Sequence, residues 1–208
     1  MSTFEPSPLV LAAAEIGAYL VGSIPFGVIV GRLRGFDPRA VGSGNIGMTN
    51  VARAGGASAA ALTFVGDILK GAIPMIVARW IGFAPFAQAL VALAAFMGSI
   101  WSIFLKLQGG KGVSAALGVW IVLSPLALLF AIAAFGIVLA IFRMMSVASI
   151  AAALVIPAAV AAVGAPQPFV LLALAISVLV ILRHQENIRR LLKGEEPRVG
   201  SAKHRDPA

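Results

Sequence analysis

One stretch limits this chain more than any other feature. From residue 113 to residue 142 no side chain carries a charge, and nearly all are apolar. A bilayer core of about 30 Å needs about 20 such residues in a helix. Further apolar runs cover 8–32, 58–79, 85–105, 146–163 and 167–183. The 113–142 run is too long for one untilted span. Ser124-Pro125 interrupts it, and proline removes a ladder hydrogen bond and clashes with the preceding turn. Two helices are therefore expected, about 113–123 and 125–142. The first cannot cross fully without help from its neighbours. The fold class is an all-α integral membrane protein with seven transmembrane or near-transmembrane helices. Six is the count if 113–142 is one tilted helix.

Composition agrees. Hydrophobic residues make up 60% of the chain and charged ones 12%, against roughly 25% charged in ordinary soluble domains. The mean hydropathy is +1.00. A soluble globule needs more surface charge, and a disordered chain needs less hydrophobicity. There is no cysteine, which excludes disulfides, thiolate metal sites and a cysteine nucleophile. The two histidines, His184 and His204, are too few for a histidine-rich metal site, and neither metal nor cofactor is expected. The first residues carry no basic side chain. A secretory signal needs one, so the first run reads as a retained span. One domain is expected over 1–208, with a helical core at about 8–194 and a polar cytoplasmic tail over 195–208.

The net charge of +8 and the pI near 11.2 would suggest nucleic acid in a less apolar chain. Position explains them better. With the N-terminus outside and spans alternating, Arg32, Arg34, Arg39 and Arg53 fall on the cytoplasmic side. So do Lys106, Lys111, Arg143 and the tail cations Arg183, Arg189, Arg190, Lys193, Arg198, Lys203 and Arg205. Lys70 lies inside the second run, and Arg79 alone sits at an outer end. Cytoplasmic enrichment of Lys and Arg sets orientation, so the N-terminus is expected outside and the C-terminus inside. A six-helix count would lose this agreement. Asp67 and Lys70 stand three apart within a span, where charges must face the bundle and pair; a local structural pair is the expectation.

Three polar clusters could carry chemistry. The first runs from Gly42 to Gly56 and holds Ser43, Asn45, Thr49, Asn50 and Arg53. Glycines allow backbone N–H groups to converge on an anion, and Arg presents a planar charge suited to phosphate. A flexible connector would not need so many donors around one Arg. The second is Gly109-Gly110-Lys111-Gly112 before a helix. It shares the logic of a phosphate loop, with backbone N–H groups, a helix dipole and one Lys, but it is not a Walker A motif. The third is His184-Gln185-Glu186-Asn187. His184 and Asn187 share a helix face, and the cations that follow suit anionic lipid. All three clusters are expected at one membrane face. No acidic pair accompanies them, which argues against glycoside hydrolysis or metal chemistry.

These stretches, together with Gly22-Ser23-Ile24-Pro25-Phe26-Gly27, resemble the bacterial membrane-integral acyl-phosphate:glycerol-3-phosphate acyltransferases, the PlsY family. The resemblance covers about residues 14–195. It implies transfer of a fatty acyl group from acyl phosphate to the 1-hydroxyl of glycerol 3-phosphate. The products would be lysophosphatidic acid and inorganic phosphate. It implies roles in binding and catalysis for Ser43 and Arg53, phosphate binding at Gly109 to Gly112, importance for activity at His184 and Asn187, and a structural role for Glu186. It also implies seven helices, a site on the cytoplasmic side of the bacterial inner membrane, and membrane lipid as the other partner. A monomer is expected to suffice, with no nucleic acid bound. Two positions depart from the family pattern. Ser99 stands where members often carry His, and Met48 where Ala is common.

The chemistry fits this resemblance. An acyl phosphate is already activated, so Ser43 reads as a hydrogen-bond donor rather than a nucleophile. Arg53 and Lys111 would offset the repulsion between two phosphates and hold them in attack geometry. For the acceptor proton, His184 competes with the substrate's own phosphate. The phosphate is slightly preferred, because a His among phosphates tends to be protonated. A transporter of organic phosphates should show a midplane site between repeats, and none is visible. An acyl-CoA-dependent enzyme should carry His, four residues, then Asp; Arg189 stands at that spacing from His184.

Overall fold

The computed structural model describes residues 3–200; Lys203, His204 and Arg205 of the expected tail lie outside them. Helix α1 covers Pro8–Gly22, α2 Phe26–Leu33, α3 Met48–Ile81 and α4 Pro85–Ile100. Then come α5 at Val113–Leu123, α6 at Pro125–Phe142, α7 at Met145–Ala162, α8 at Gln167–Arg183 and α9 at Gln185–Leu192. Short 3-10 turns lie at Pro38–Ala40 and Ile103–Leu105. No sheet forms among the described residues; Phe4 makes a single bridge to Phe83.

Proline sets several boundaries. Pro8, Pro85 and Pro125 each open a helix, where the missing N–H removes a donor that would have no partner anyway. Pro125 divides the long apolar run as its sequence requires, and α5 and α6 take the expected bounds.

Among the described residues five segments are long and apolar enough to cross a membrane, and α8 with α9 makes a sixth if they count as one span bent by 55°. Helix α5 is apolar but has only 11 residues. At ~1.5 Å per residue it reaches about 16 Å, half of a bilayer core. It leans on α3. A side chain on Gly118 would collide with the Ile68 carbonyl, and one on Gly71 with that of Ala115, so glycine lets the two backbones touch. At its far end the Val122 carbonyl accepts from Arg79. Arg79 thus satisfies the end of a helix too short to cross.

Two boundaries differ from the sequence expectation. The first run is two helices, broken at Ser23–Pro25. Freed backbone groups at membrane depth need partners. Ser102 Oγ donates to the Ser23 carbonyl at 2.6 Å, and Lys70 Nζ to that of Ile24 at 3.3 Å. Lys70 is in turn paired with Asp67 at 2.6 Å. The second difference is in the first polar stretch. Helix α3 already begins at Met48 and bends at Gly56, whose φ of 78° no other residue type adopts readily. Half of the expected loop is therefore the first turns of a helix.

The core packs Phe96 and Ile100 of α4 against Val119 and Trp120 of α5, Val160 of α7 and Ile176 of α8. Outside it, α6 exposes Leu126, Leu129, Phe130, Ile137 and Ile141. A band of that kind suits hydrocarbon rather than water.

Candidate active site

The first polar cluster folds around Asn50, which is 2% exposed on the first turn of α3. Its Nδ2 lies 2.7 Å from the Pro38 carbonyl, 2.9 Å from that of Asn45 and 3.0 Å from that of Val41. Its Oδ1 accepts the Ser43 N–H at 3.1 Å. This corrects the expectation for Asn50. An amide has two hydrogens, and both are committed to the backbone, so Asn50 shapes the loop instead of donating to a ligand. Gly42 makes this possible, with φ of 58° and room for no Cβ, which would lie 2.6 Å from Asn50 Oδ1. The loop that results leaves Ser43 and Arg53 exposed. The Arg53 stem lies against Gly42. Asn45 Oδ1 caps the Gly47 N–H at 2.8 Å, and Thr49 is half-buried beside Asn50.

The glycine loop lies beside it. A Cβ on Gly110 would come within 3.9 Å of Asn45 Oδ1 and of the Ile46 side chain. The Gly110 N–H donates to the Ser99 carbonyl at 3.1 Å. Ser99 turns its own hydroxyl to Phe96 of its helix, at 2.6 Å. Position 99 thus holds the loop through its backbone. Gly112, at φ of 78°, opens α5 with no side chain capping the helix. The first N–H groups of α5 are thus left without a side-chain cap, an arrangement that suits an anion.

Lys111 Nζ donates to Asn187 Oδ1. Burial pushes its ammonium down to about 8; Glu196 and Glu186 oppose the fall, and Arg190 and Arg53 add to it. His184 is 2% exposed, at the bend between α8 and α9. Its Nδ1 lies 2.8 Å from the Val180 carbonyl. A carbonyl only accepts, so Nδ1 carries the hydrogen and Nε2 is the acceptor in the neutral ring. Burial, with a smaller push from Lys111, lowers His184 to about 4, although the Val180 carbonyl and Glu196 oppose the fall.

Asn187 is buried and donates to Glu196 Oε1 at 2.6 Å. Glu196 also accepts from Ser146 Oγ at 2.6 Å and from Arg190 Nε at 2.8 Å. Burial alone would raise its carboxyl, but these hydrogen bonds outweigh burial and hold it below the usual range. Glu196 was missed because it falls in what reads as a polar tail. The signal was present: Glu195-Glu196 is an acidic pair within a basic segment. By contrast Glu186, given a structural role by resemblance, is exposed on the first turn of α9. At this cluster the buried, structure-holding carboxylate is Glu196. The segment is strapped down further by Val199, which pairs with Arg143 at 2.6 and 3.0 Å.

The three clusters therefore meet. Asn45 and Ile46 border the glycine loop, Lys111 reaches Asn187 and feels the charge of Arg53, and His184 lies within the field of Lys111. Among the described residues no group of three or more His, Asp or Glu side chains could hold a metal. Asp67 and Lys70 take no part in the cluster, being engaged at the α1–α2 break.

A family described as glycerol-3-phosphate acyltransferase matches residues 12–194. The chain belongs to that family. A glycerol-3-phosphate acyltransferase of Geobacter sulfurreducens is 50% identical over 181 residues, covering 87% of this chain and 93% of the relative. One of Geotalea daltonii is 46% identical with the same coverage. Among solved structures, the glycerol 3-phosphate form of PlsY, an integral membrane glycerol 3-phosphate acyltransferase, superposes with a TM-score of 0.87. It is 40% identical, and the match covers 92% of this chain and 96% of that one. Its lysophosphatidic acid form gives 0.84 at 39% identity. Like PlsY, this acyltransferase-family chain is a multi-pass membrane protein, built from helices alone among its described elements.

Proposed function

We propose that this chain transfers a fatty acyl group from acyl phosphate to the 1-hydroxyl of glycerol 3-phosphate. The observation that carries the reading is the junction of two anion-binding loops. One presents Ser43 and Arg53; the other presents the open start of α5 and Lys111, which Asn187 anchors. Two phosphorylated reactants need two such positions side by side. That the solved PlsY structures are described as glycerol 3-phosphate and lysophosphatidic acid forms supports the acceptor and the product. The hydroxyl oxygen attacks the acyl carbon, the bond from that carbon to the phosphate oxygen breaks, and inorganic phosphate leaves. Ser43 donates a hydrogen bond, while Arg53 and Lys111 offset the charges that would drive the reactants apart. Asn45 and Thr49 are the neutral donors of the first loop.

Placement follows the same reading. Seven segments, counting short α5, would leave the termini on opposite faces, and the Lys and Arg enrichment supports an N-terminus outside and a site on the cytoplasmic face of the bacterial inner membrane. One chain holds every residue named, so a monomer is sufficient. The decisive experiment supplies purified protein with glycerol 3-phosphate and either palmitoyl phosphate or palmitoyl-CoA. Lysophosphatidic acid is expected from the acyl phosphate alone. Product from the CoA ester alone would overturn the donor assignment.

The acceptor proton goes to a substrate phosphate, for a reason other than the one the sequence suggested. His184 is not held protonated. It is neutral at pH 7, and with a value of about 4 it is a weak base. A phosphate dianion, with a second pKa of about 6, is the better acceptor near neutrality. The acid limb of kcat/KM is thus expected near pH 6 and should persist unchanged in His184→Ala. A limb near pH 4 that disappears in the variant would make His184 the base.

A further inference from the structure

Arg183 is accounted for by neither the family motifs nor the reaction above. It closes α8, one residue before His184, and its side chain turns toward the glycine loop. Its Nη2 lies 2.9 Å from the Gly109 carbonyl and its Nε 3.2 Å from that of Gly110. We propose that Arg183 is a positioning residue for phosphate binding, holding both carbonyls so that the loop offers the substrate the Lys111 N–H and side chain. The proposal rests on the reading of Gly109 to Gly112 as a phosphate site.

The argument is one of peptide planes. In a trans peptide the carbonyl and the next N–H point in opposite directions. Arg183 and Ser99 grip the Gly109–Gly110 peptide at its two ends, the carbonyl by guanidinium and the N–H by the Ser99 oxygen at 3.1 Å. That plane cannot turn over. In the next peptide Arg183 takes the Gly110 carbonyl, which turns the Lys111 N–H to the opposite side. Glycine would otherwise flip freely, and a flipped peptide would aim a carbonyl oxygen at an anion. Two donors at fixed spacing suit two successive carbonyls, and only a guanidinium has them; the ammonium of Lys is a single point charge. Because the clamp sits at the end of α8, it also registers the loop against the helix that carries His184.

The test uses the full chain, purified, in steady-state assays with varied glycerol 3-phosphate. Arg183→Lys keeps the charge and loses the fork. It is expected to raise the KM for glycerol 3-phosphate about tenfold, the effect of one charge-assisted hydrogen bond, with kcat nearly unchanged. Loss of folded enzyme alone would lower kcat at constant KM. If Arg183 acts through the loop, the two residues are coupled: in a Lys111→Ala background the same change should alter KM less than about twofold. Added guanidinium should lower the KM of Arg183→Ala, and methylammonium should not. Should that variant fail to fold, as judged by gel filtration, Arg183→Lys carries the test. A wild-type KM for Arg183→Lys overturns the clamp while leaving the phosphate site intact, as does a tenfold effect in both backgrounds. A wild-type KM for Lys111→Ala overturns the phosphate site, and the clamp with it.

Discussion

Arg53→Ala is expected to lower kcat by about 10²–10³-fold, the usual loss when one fixed donor to a developing charge is removed. The reason lies in the loop geometry. Asn50 takes four backbone partners and folds residues 38–45 into a platform from which Arg53 stands exposed against Gly42. The Arg53 stem is already seated against Gly42 when the reactants arrive, which lessens the reorganisation that opposes catalysis. Arg53→Lys keeps the charge but loses the planar fork, and its kcat should fall between those of wild type and Arg53→Ala. Single-turnover rates with palmitoyl phosphate would measure both. An Arg53→Ala enzyme with a wild-type rate would remove Arg53 from the chemistry.

The second large effect belongs to Lys111. Lys111→Ala is expected to raise the KM for glycerol 3-phosphate about 100-fold, as loss of a charge-assisted hydrogen bond to a buried anion predicts. Lys193→Ala, exposed just beyond α9, should change it far less. Equal effects would sink the phosphate-loop assignment. Lys111 also sets an alkaline limit. Its value is lowered to about 8, chiefly by burial, and the protonated form is the one that attracts phosphate. Affinity is therefore full below that value and lost as pH rises through it. The kcat/KM of the free enzyme should fall above about pH 8, and this limb should be missing from Lys111→Ala.

The legible parts of this molecule were those fixed by one residue's covalent chemistry. Proline has no N–H, so the division of 113–142 at Pro125 could be read to the residue. Lys and Arg avoid hydrocarbon, so their order along the chain suggested a single polar face. What stayed hidden depended on three-dimensional partners. The apolar run 8–32 gives no sign of its break at Ser23–Pro25 except the proline itself, because the groups that make the break tolerable, Ser102 and Lys70, come from distant helices. Gly55-Gly56 reads as loop, yet α3 runs through it with one kink. Asn50 looks like a ligand donor until its carbonyl partners are seen. Glu196 looks like tail until Ser146, Asn187 and Arg190 are found around it. The state of His184 turned on burial, which a list of charged neighbours does not reveal.

Glu196 also gives the site an order of assembly. A ribosome releases the chain from its N-terminus. The Arg53 loop is therefore made early, the glycine loop midway, and His184 with Asn187 near the end. Glu196 comes after all of them. Until it emerges, Asn187 lacks the carboxylate that fixes its amide, and Lys111 leans on an untethered partner. Every motif of the reaction can be inside the membrane while the pocket is still loose. Among the described residues Glu196 is the last-made buried side chain, so on the proposed reading the two-phosphate site is complete only after α9 has been threaded.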